Sequence, residues 1–283
     1  MSGAAAVAAP LLAPFEVLAN TDSLGIFGAR GNADLIRESG IQVRRLSSEV
    51  LGHSVDLLEF RKESRGTNTP LFIPHSNEFA SFDAALRNVA QVGGTVLAFD
   101  SRGGRQLRTS SGRQLEQDPN RMFKPNSPYW PLAQVILERI DAERGNLPYV
   151  ALHNNSPAGT FVLNVAKALK DPRFETFFPD ARNLRDVVWM SLPVTARNSP
   201  HPLRGFAEQL ASKGINSLIE YVVPETASDG SLSQYTGRTS TSGYINIESG
   251  FRGGDPEQVA ARTIQTKVLE ELKTFLASDH PVL

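Results

Sequence analysis

The stretch PLFIPHSNEFASFDAALRNVAQVGG, residues 70–94, decides the reading of the fold. It opens on the apolar run Leu71-Phe72-Ile73 between two prolines, the pattern of a short buried strand. From Phe79 to Val92 the apolar residues Phe79, Phe82, Ala85, Leu86 and Val89 recur at helical spacing, and Gly93-Gly94 ends the helix. Between strand and helix, His75 and Glu78 form an H-x-x-E tetrapeptide, so both side chains can turn toward one cation. A catalytic metal needs a third protein ligand and an open coordination position. The remaining sequence must supply that ligand.

Working outward, Val55–Phe60, Thr95–Phe99, Pro148–Leu152, Val187–Met190, Ser217–Val223 and Tyr244–Glu248 read as further strands. Pro131–Arg144, Gly205–Ser212 and Pro256–Ala277 read as helices. Strands alternating with helices predict an α/β fold, a mostly parallel mixed sheet with helices on both faces. Ligands of such sheets bind beyond the carboxyl ends of the strands, where His75 with Glu78, His153 and Glu248 all fall. With no internal repeat and no dividing linker, residues 1–283 form one domain. Residues 1–50 are an N-terminal arm with the first elements, and the Ser-, Thr- and Gly-rich segment 226–242 is expected to be a flap loop.

Composition narrows the function classes. The chain has 29 basic and 30 acidic residues, so bulk charge argues against nucleic acid or an anionic membrane as partner. There are no cysteines, which removes disulfides, thiolate zinc, iron–sulfur clusters and thiol nucleophiles together. Five histidines leave a short list of nitrogen ligands. The Ala- and Leu-rich residues 4–19 are interrupted by Pro10, Pro14 and Glu16 and are too short for a membrane span. A trimmed export segment, as in a periplasmic or secreted bacterial protein, and a plain N-terminal arm of a cytoplasmic one both fit. No G-x-S-x-G elbow occurs, which argues against a serine hydrolase.

If His75, Glu78 and His153 bound one zinc, a fourth position would remain for water. A carboxylate off the metal would then move the water's proton to the leaving amine, and Glu248 is the candidate. In the polar loop 101–126, Arg113 and Arg121 could receive a carboxylate and a developing oxyanion, because guanidinium binds carboxylate bidentately and keeps its proton. A solvated basic loop is the plain alternative. Tyr235, inside the expected flap, could close over substrate or could be a surface aromatic.

Four ordered motifs resemble the zinc carboxypeptidase superfamily, and more closely its bacterial succinylglutamate desuccinylase/aspartoacylase-like branch. They are His75 with Glu78; Arg113, Asp118, Asn120, Arg121 and Phe123; Leu152-His153-Asn154; and Glu248 with Gly250. The resemblance covers roughly residues 54–270. It implies a metallopeptidase-like hydrolase with one zinc on His75, Glu78 and His153 and with Glu248 as base and acid. It implies Asn120 and Arg121 on the substrate's carboxylate and Arg113 on the scissile carbonyl. The expected substrate is a short or cell-wall-derived peptide, cleaved by a carboxypeptidase, or an N-acyl amino acid, cleaved by a deacylase. A binding module without catalysis on the same fold is the alternative of another class. The sequence departs from the family pattern in Pro74-His75-Ser76-Asn77 around the first ligands and in Pro119, where leucine is common.

Overall fold

The computed structural model describes residues 16–17, 31–64, 68–102, 104–155, 159–224, 228–250 and 255–278. The strands are β1 (Glu16–Val17), β2 (Gln42–Val50), β3 (His53–Lys62), β4 (Leu71–Ile73), β5 (Gly94–Phe99), β6 (Tyr149–Asn155), β7 (Phe174–Phe177), β8 (Val187–Pro193), β9 (Asn216–Val222) and β10 (Tyr244–Gly250). The helices are α1 (Ala33–Ser39), α2 (Phe79–Val92), α3 (Trp130–Arg144), α4 (Thr160–Ala168), α5 (Pro202–Ser212), α6 (Leu232–Thr239) and α7 (Asp255–Ala277). The strands join into one mixed sheet in the order β1-β2-β3-β5-β4-β6-β10-β8-β9-β7.

Parallel pairing runs from β5 through β4 and β6 to β10, and again between β8 and β9; the other neighbours are antiparallel. The parallel centre is short and apolar on both faces, as its continuous hydrophobic runs require. Alternate residues sort into two layers. Leu71, Ile73, Val150, Leu152, Ile245 and Ile247 pack with α2, α5 and α7 on one face. Phe72, Ala151, Tyr149 and Tyr244 pack with α3 on the other, and Val187 and Leu218 pack under α4 on that same side. Helix α2 buries the apolar stripe seen in the sequence, with Phe82, Ala85, Leu86 and Val89 all without solvent exposure.

Residues 42–50, within the segment read as an arm with the first elements, form β2, paired along its whole length with β3. One region differs from its sequence reading. Of the expected flap, residues 226 and 227 lie outside the described residues, and Leu232–Thr239 is helix α6. Ser231 caps that helix, its Oγ accepting from Gln234 N at 3.3 Å. Leu232 and Thr236 are fully buried, and this burial overrides the weak helix propensity of a Ser/Thr/Gly-rich segment.

Candidate active site

Strand β4 ends at Ile73, Pro74 follows, and Glu78 is the N-cap residue of α2. The turn closes where Glu78 N–H donates to His75 O at 3.1 Å. This places His75 Nδ1 2.8 Å from Glu78 Oε1. Strand β6 brings His153, whose Nδ1 lies 3.3 Å from Glu78 Oε2. One ligand atom from each of the three lies within 4.8 Å of the others, and all three residues are buried. A cluster of two imidazole nitrogens and a carboxylate could hold a metal ion, and this donor set suits zinc.

The far ring nitrogens have partners of their own. His75 Nε2 is 2.9 Å from Asp118 Oδ1, and His153 Nε2 is 3.5 Å from Asn120 Nδ2. A carboxylate on the outer nitrogen fixes the tautomer and ring orientation of a metal-ligating histidine, a role open to Asp118 that sequence reading did not assign. Burial opposes charge on His75, but the Glu78 carboxylate and the bonds to Asp118 and Glu78 outweigh it and raise its pKa to about 9. Burial likewise opposes charge on Glu78, yet the two imidazoles hold its pKa far below the usual carboxylate range. The cluster therefore keeps an anion in a site from which water is largely excluded.

A frame of hydrogen bonds from uncharged donors fixes the cluster. Asn154 N–H donates to Glu78 Oε2 at 3.0 Å, and Asn154 Oδ1 accepts from Ser81 N in the first turn of α2 at 3.1 Å. Gln265 of α7, fully buried, donates to Ser81 Oγ at 2.8 Å and to the His153 carbonyl at 2.9 Å. Three elements far apart in sequence thus share one bonded frame.

Glu248 stands on β10 directly opposite His153 in the parallel register of β10 and β6. It is 8% exposed. Its Oε1 accepts from Asn246 Nδ2 at 3.0 Å and its Oε2 from Asn155 Nδ2 at 3.5 Å. Burial pushes its pKa up and the nearby Glu78 charge adds to this, while His153 and the two amides pull it down. A carboxylate raised above its ordinary value is better matched to proton transfer near neutral pH.

The structure separates the two arginines that the sequence put together. Arg113 lies in a hairpin bridged at Arg108 and Gln114, with its Nη1 3.5 Å from His53 Nε2, and no contact joins it to the cluster. Arg105 is there instead, with Nη1 3.4 Å from Glu78 Oε1 and Nη2 3.3 Å from Asp118 Oδ2. Its loop is tied to the ligand turn by a short hydroxyl contact between Ser76 and Ser101, and Ser101 Oγ donates to Gly104 O at 2.6 Å. The buried serine of the unusual Pro-His-Ser-Asn context thus joins the start of the Arg105 loop to the turn that carries His75 and Glu78.

Asn120 and Arg121 are on a single 3₁₀ turn, Pro119–Arg121, capped by Asp118, whose Oδ1 accepts from Asn120 N at 2.8 Å. Arg121 is exposed, 3.7 Å from Asp229 Oδ2. The turn is backed by the 228–232 segment, where Phe123 N–H donates to Gly230 O at 2.8 Å. Tyr235 is on α6 with its ring packed at 5.5 Å from Trp130 and 6.5 Å from Phe123. A cavity of about 430 Å³ opens over the cluster, lined by Glu78, Arg105, His153, Asn155, Phe161 and Glu248 among others.

No protein-family model matches the sequence, and no curated protein matches it. Among solved structures, the chain is similar to a metallo-carboxypeptidase from Burkholderia cenocepacia at 15% identity and a TM-score of 0.48, covering 87% of this chain and 69% of that one. It is also similar to a succinylglutamate desuccinylase from Vibrio cholerae at 14% identity and a TM-score of 0.45, covering 84% and 67%.

Proposed function

We propose that this chain is a zinc-dependent hydrolase that cleaves an amide bond next to a free carboxylate, acting as a carboxypeptidase on short or cell-wall-derived peptides. The observation that carries the reading is the convergence of His75, Glu78 and His153 in one buried cluster, with Glu248 in register beside it. Among the described residues this is the one group of three or more His, Asp or Glu side chains with metal-binding spacing. Zinc held there would supply Lewis acidity toward the scissile carbonyl and the attacking water.

The chain's own residues do the rest. Glu248 takes the proton of the attacking water and returns it to the leaving amine, a task that its raised pKa favours. Arg105, paired with Glu78 and Asp118, faces the oxygen that becomes negative. Asn120 and Arg121 hold the substrate's terminal carboxylate, Arg121 exchanging its 3.7 Å partner Asp229 for it. Asp118 keeps His75 oriented.

The test is a purified chain assayed for metal and for hydrolysis. Elemental analysis should give close to one zinc per chain, and peptides with a free C-terminus should be cleaved where their C-terminal amides are not. Hydrolysis that survives complete removal of metal would end the proposal. Cleavage of N-acyl amino acids but not of peptides would move the chain to the deacylases.

A further inference from the structure

Between positions 101 and 117 the polar loop that joins β5 to α3 carries Arg102, Arg105, Arg108 and Arg113 against a single acid, Glu116, and the proposed chemistry uses only Arg105. The segment folds as a hairpin. Leu107 N–H donates to Gln117 O at 2.9 Å, Leu115 N–H to Leu107 O at 2.9 Å and Thr109 N–H to Arg113 O at 2.8 Å. Leu107, Thr109 and Leu115 are buried on its inner side, so the alternating Gln106, Arg108 and Gln114 face outward. The turn is anchored to β3, where Ser110 N–H donates to Ser54 O at 2.7 Å and Ser110 Oγ to Asp56 Oδ1 at 2.8 Å. The open end of the hairpin lies at the His75–Glu78–His153 cluster, since Arg105 pairs with Glu78.

Two guanidinium groups meet at the turn. Arg108 Nη1 donates to Gly112 O at 2.9 Å, and Arg102 Nη2 donates to Ser110 O at 2.6 Å. Gly112 has φ +97°, and a Cβ there would lie 2.6 Å from Arg102 Nη1, so glycine is what lets the second guanidinium lie against the turn. Among the described residues neither guanidinium reaches a carboxylate at salt-bridge distance; their bonds go to neutral oxygens. Asp100 accepts from the backbone N–H of Arg102 instead. The glutamine acceptors beside them are spent as well, Gln114 Oε1 on Arg108 Nη2 at 3.4 Å and Gln106 Oε1 on Gln114 Nε2 at 2.6 Å. Arginine has five N–H donors and no acceptor, so what these side chains have left to offer is mainly N–H. Glu116 lies two positions further from the turn than Gln114. A surface of donors with two fixed positive charges matches oxyanions, which guanidinium binds bidentately.

We propose that the Arg102–Arg108 face of this hairpin is an accessory anion site that takes acidic side chains of a peptide substrate, upstream of the bond cleaved at the cluster. From Arg105 to Ser110 the extended chain covers about 16 Å. A peptide that leaves the cluster along the hairpin therefore meets the two guanidinium groups about five residues from the scissile bond. The substrate's terminal carboxylate, at Arg121, is a separate contact. The position of the scissile bond rests on the hydrolase reading, but the anion site is testable without turnover.

In the zinc-loaded protein, fluorescein-labelled hexapeptides of aspartate and of its isostere asparagine, both amidated at the C-terminus to keep them off the Arg121 turn, are titrated and read by anisotropy. The aspartate peptide should bind at least about tenfold tighter, and Arg102→Gln with Arg108→Gln should bring the two within about threefold. Arg108→Gln alone, which leaves the Arg102 bond to the turn in place, should already weaken the aspartate peptide by about threefold or more. Arg113→Gln, on the His53 side of the hairpin, removes the same charge and should keep the preference. Equal affinity in the parent, a preference that survives the double substitution, or an equal loss in Arg113→Gln overturns the proposal. Peptides with a free C-terminus and aspartate or asparagine upstream then separate the two claims. Cleavage with the same KM for both refutes the anion site and leaves the hydrolase, whereas aspartate-dependent binding with no cleavage of any peptide refutes the hydrolase and leaves the anion site.

Discussion

At the residue scale the site turns on two side chains that differ in how they reach it. Glu248 is brought to His153 by strand register, so Glu248→Gln leaves the ligand cluster in place. Turnover should fall by about 10²–10⁴ while zinc content stays near one per chain; loss of zinc on that substitution would make Glu248 a ligand instead. Arg105 is held at the cluster by contacts to Glu78 and Asp118, whereas Arg113 faces His53. Arg105→Ala should lower kcat by about 10²–10³, with Arg113→Ala within about twofold of the parent. A matching loss in Arg113→Ala would restore the role that the sequence alone suggested for it. The placing of the cluster residues and Glu248 was legible because each sits at the end of a strongly patterned strand. The arginine was not, because a loop with Arg102, Arg105, Arg108 and Arg113 has no periodicity to say which one points inward. Arg105 is singled out by its pairing with Glu78 and Asp118, and the loop's start is joined to the His75 turn by a contact across 25 residues, neither of which a local pattern encodes.

At the scale of elements, periodicity found α2 with the same limits as the structure and found the strands of the parallel centre, whose apolar runs leave little choice. It missed α6, since Ser, Thr and Gly are weak helix formers and the helix exists only by packing its buried side on β8 and β10. What that segment does is back the 3₁₀ turn Pro119–Arg121, where Phe123 N–H donates to Gly230 O, the turn proposed to hold the substrate's carboxylate. Gly230 has φ +84°, and a Cβ there would lie 2.5 Å from the Arg121 carbonyl oxygen, so only glycine fits both the conformation and the space. Gly230→Ala should displace Arg121, raising KM for peptides with a free carboxylate more than for their amides, and it should cost more than about 1 kcal/mol of stability. A stability loss with equal KM effects on both substrates would make the turn purely structural.

At the scale of the molecule, a metal held by the cluster would be coupled to folding. A buried carboxylate between two imidazoles is a costly arrangement of charge, and a metal that binds it only when folded stabilises the native state. Zinc at a hundredfold excess over its Kd should raise Tm by about 5 °C, measured by calorimetry. Glu78→Gln should abolish most of that shift, and an equal shift in the variant would place the stabilising metal elsewhere.

The bond from Gln265 to the His153 carbonyl carries a consequence for biosynthesis. His75 and Glu78 leave the ribosome before His153, and His153 before Gln265, and domains of this kind close long-range contacts late. A nascent chain that has passed residue 153 already carries all three side chains of the cluster, yet the backbone behind His153 and the first turn of α2 still lack their common donor. A metal held by the cluster would then be bound firmly only once α7 has docked.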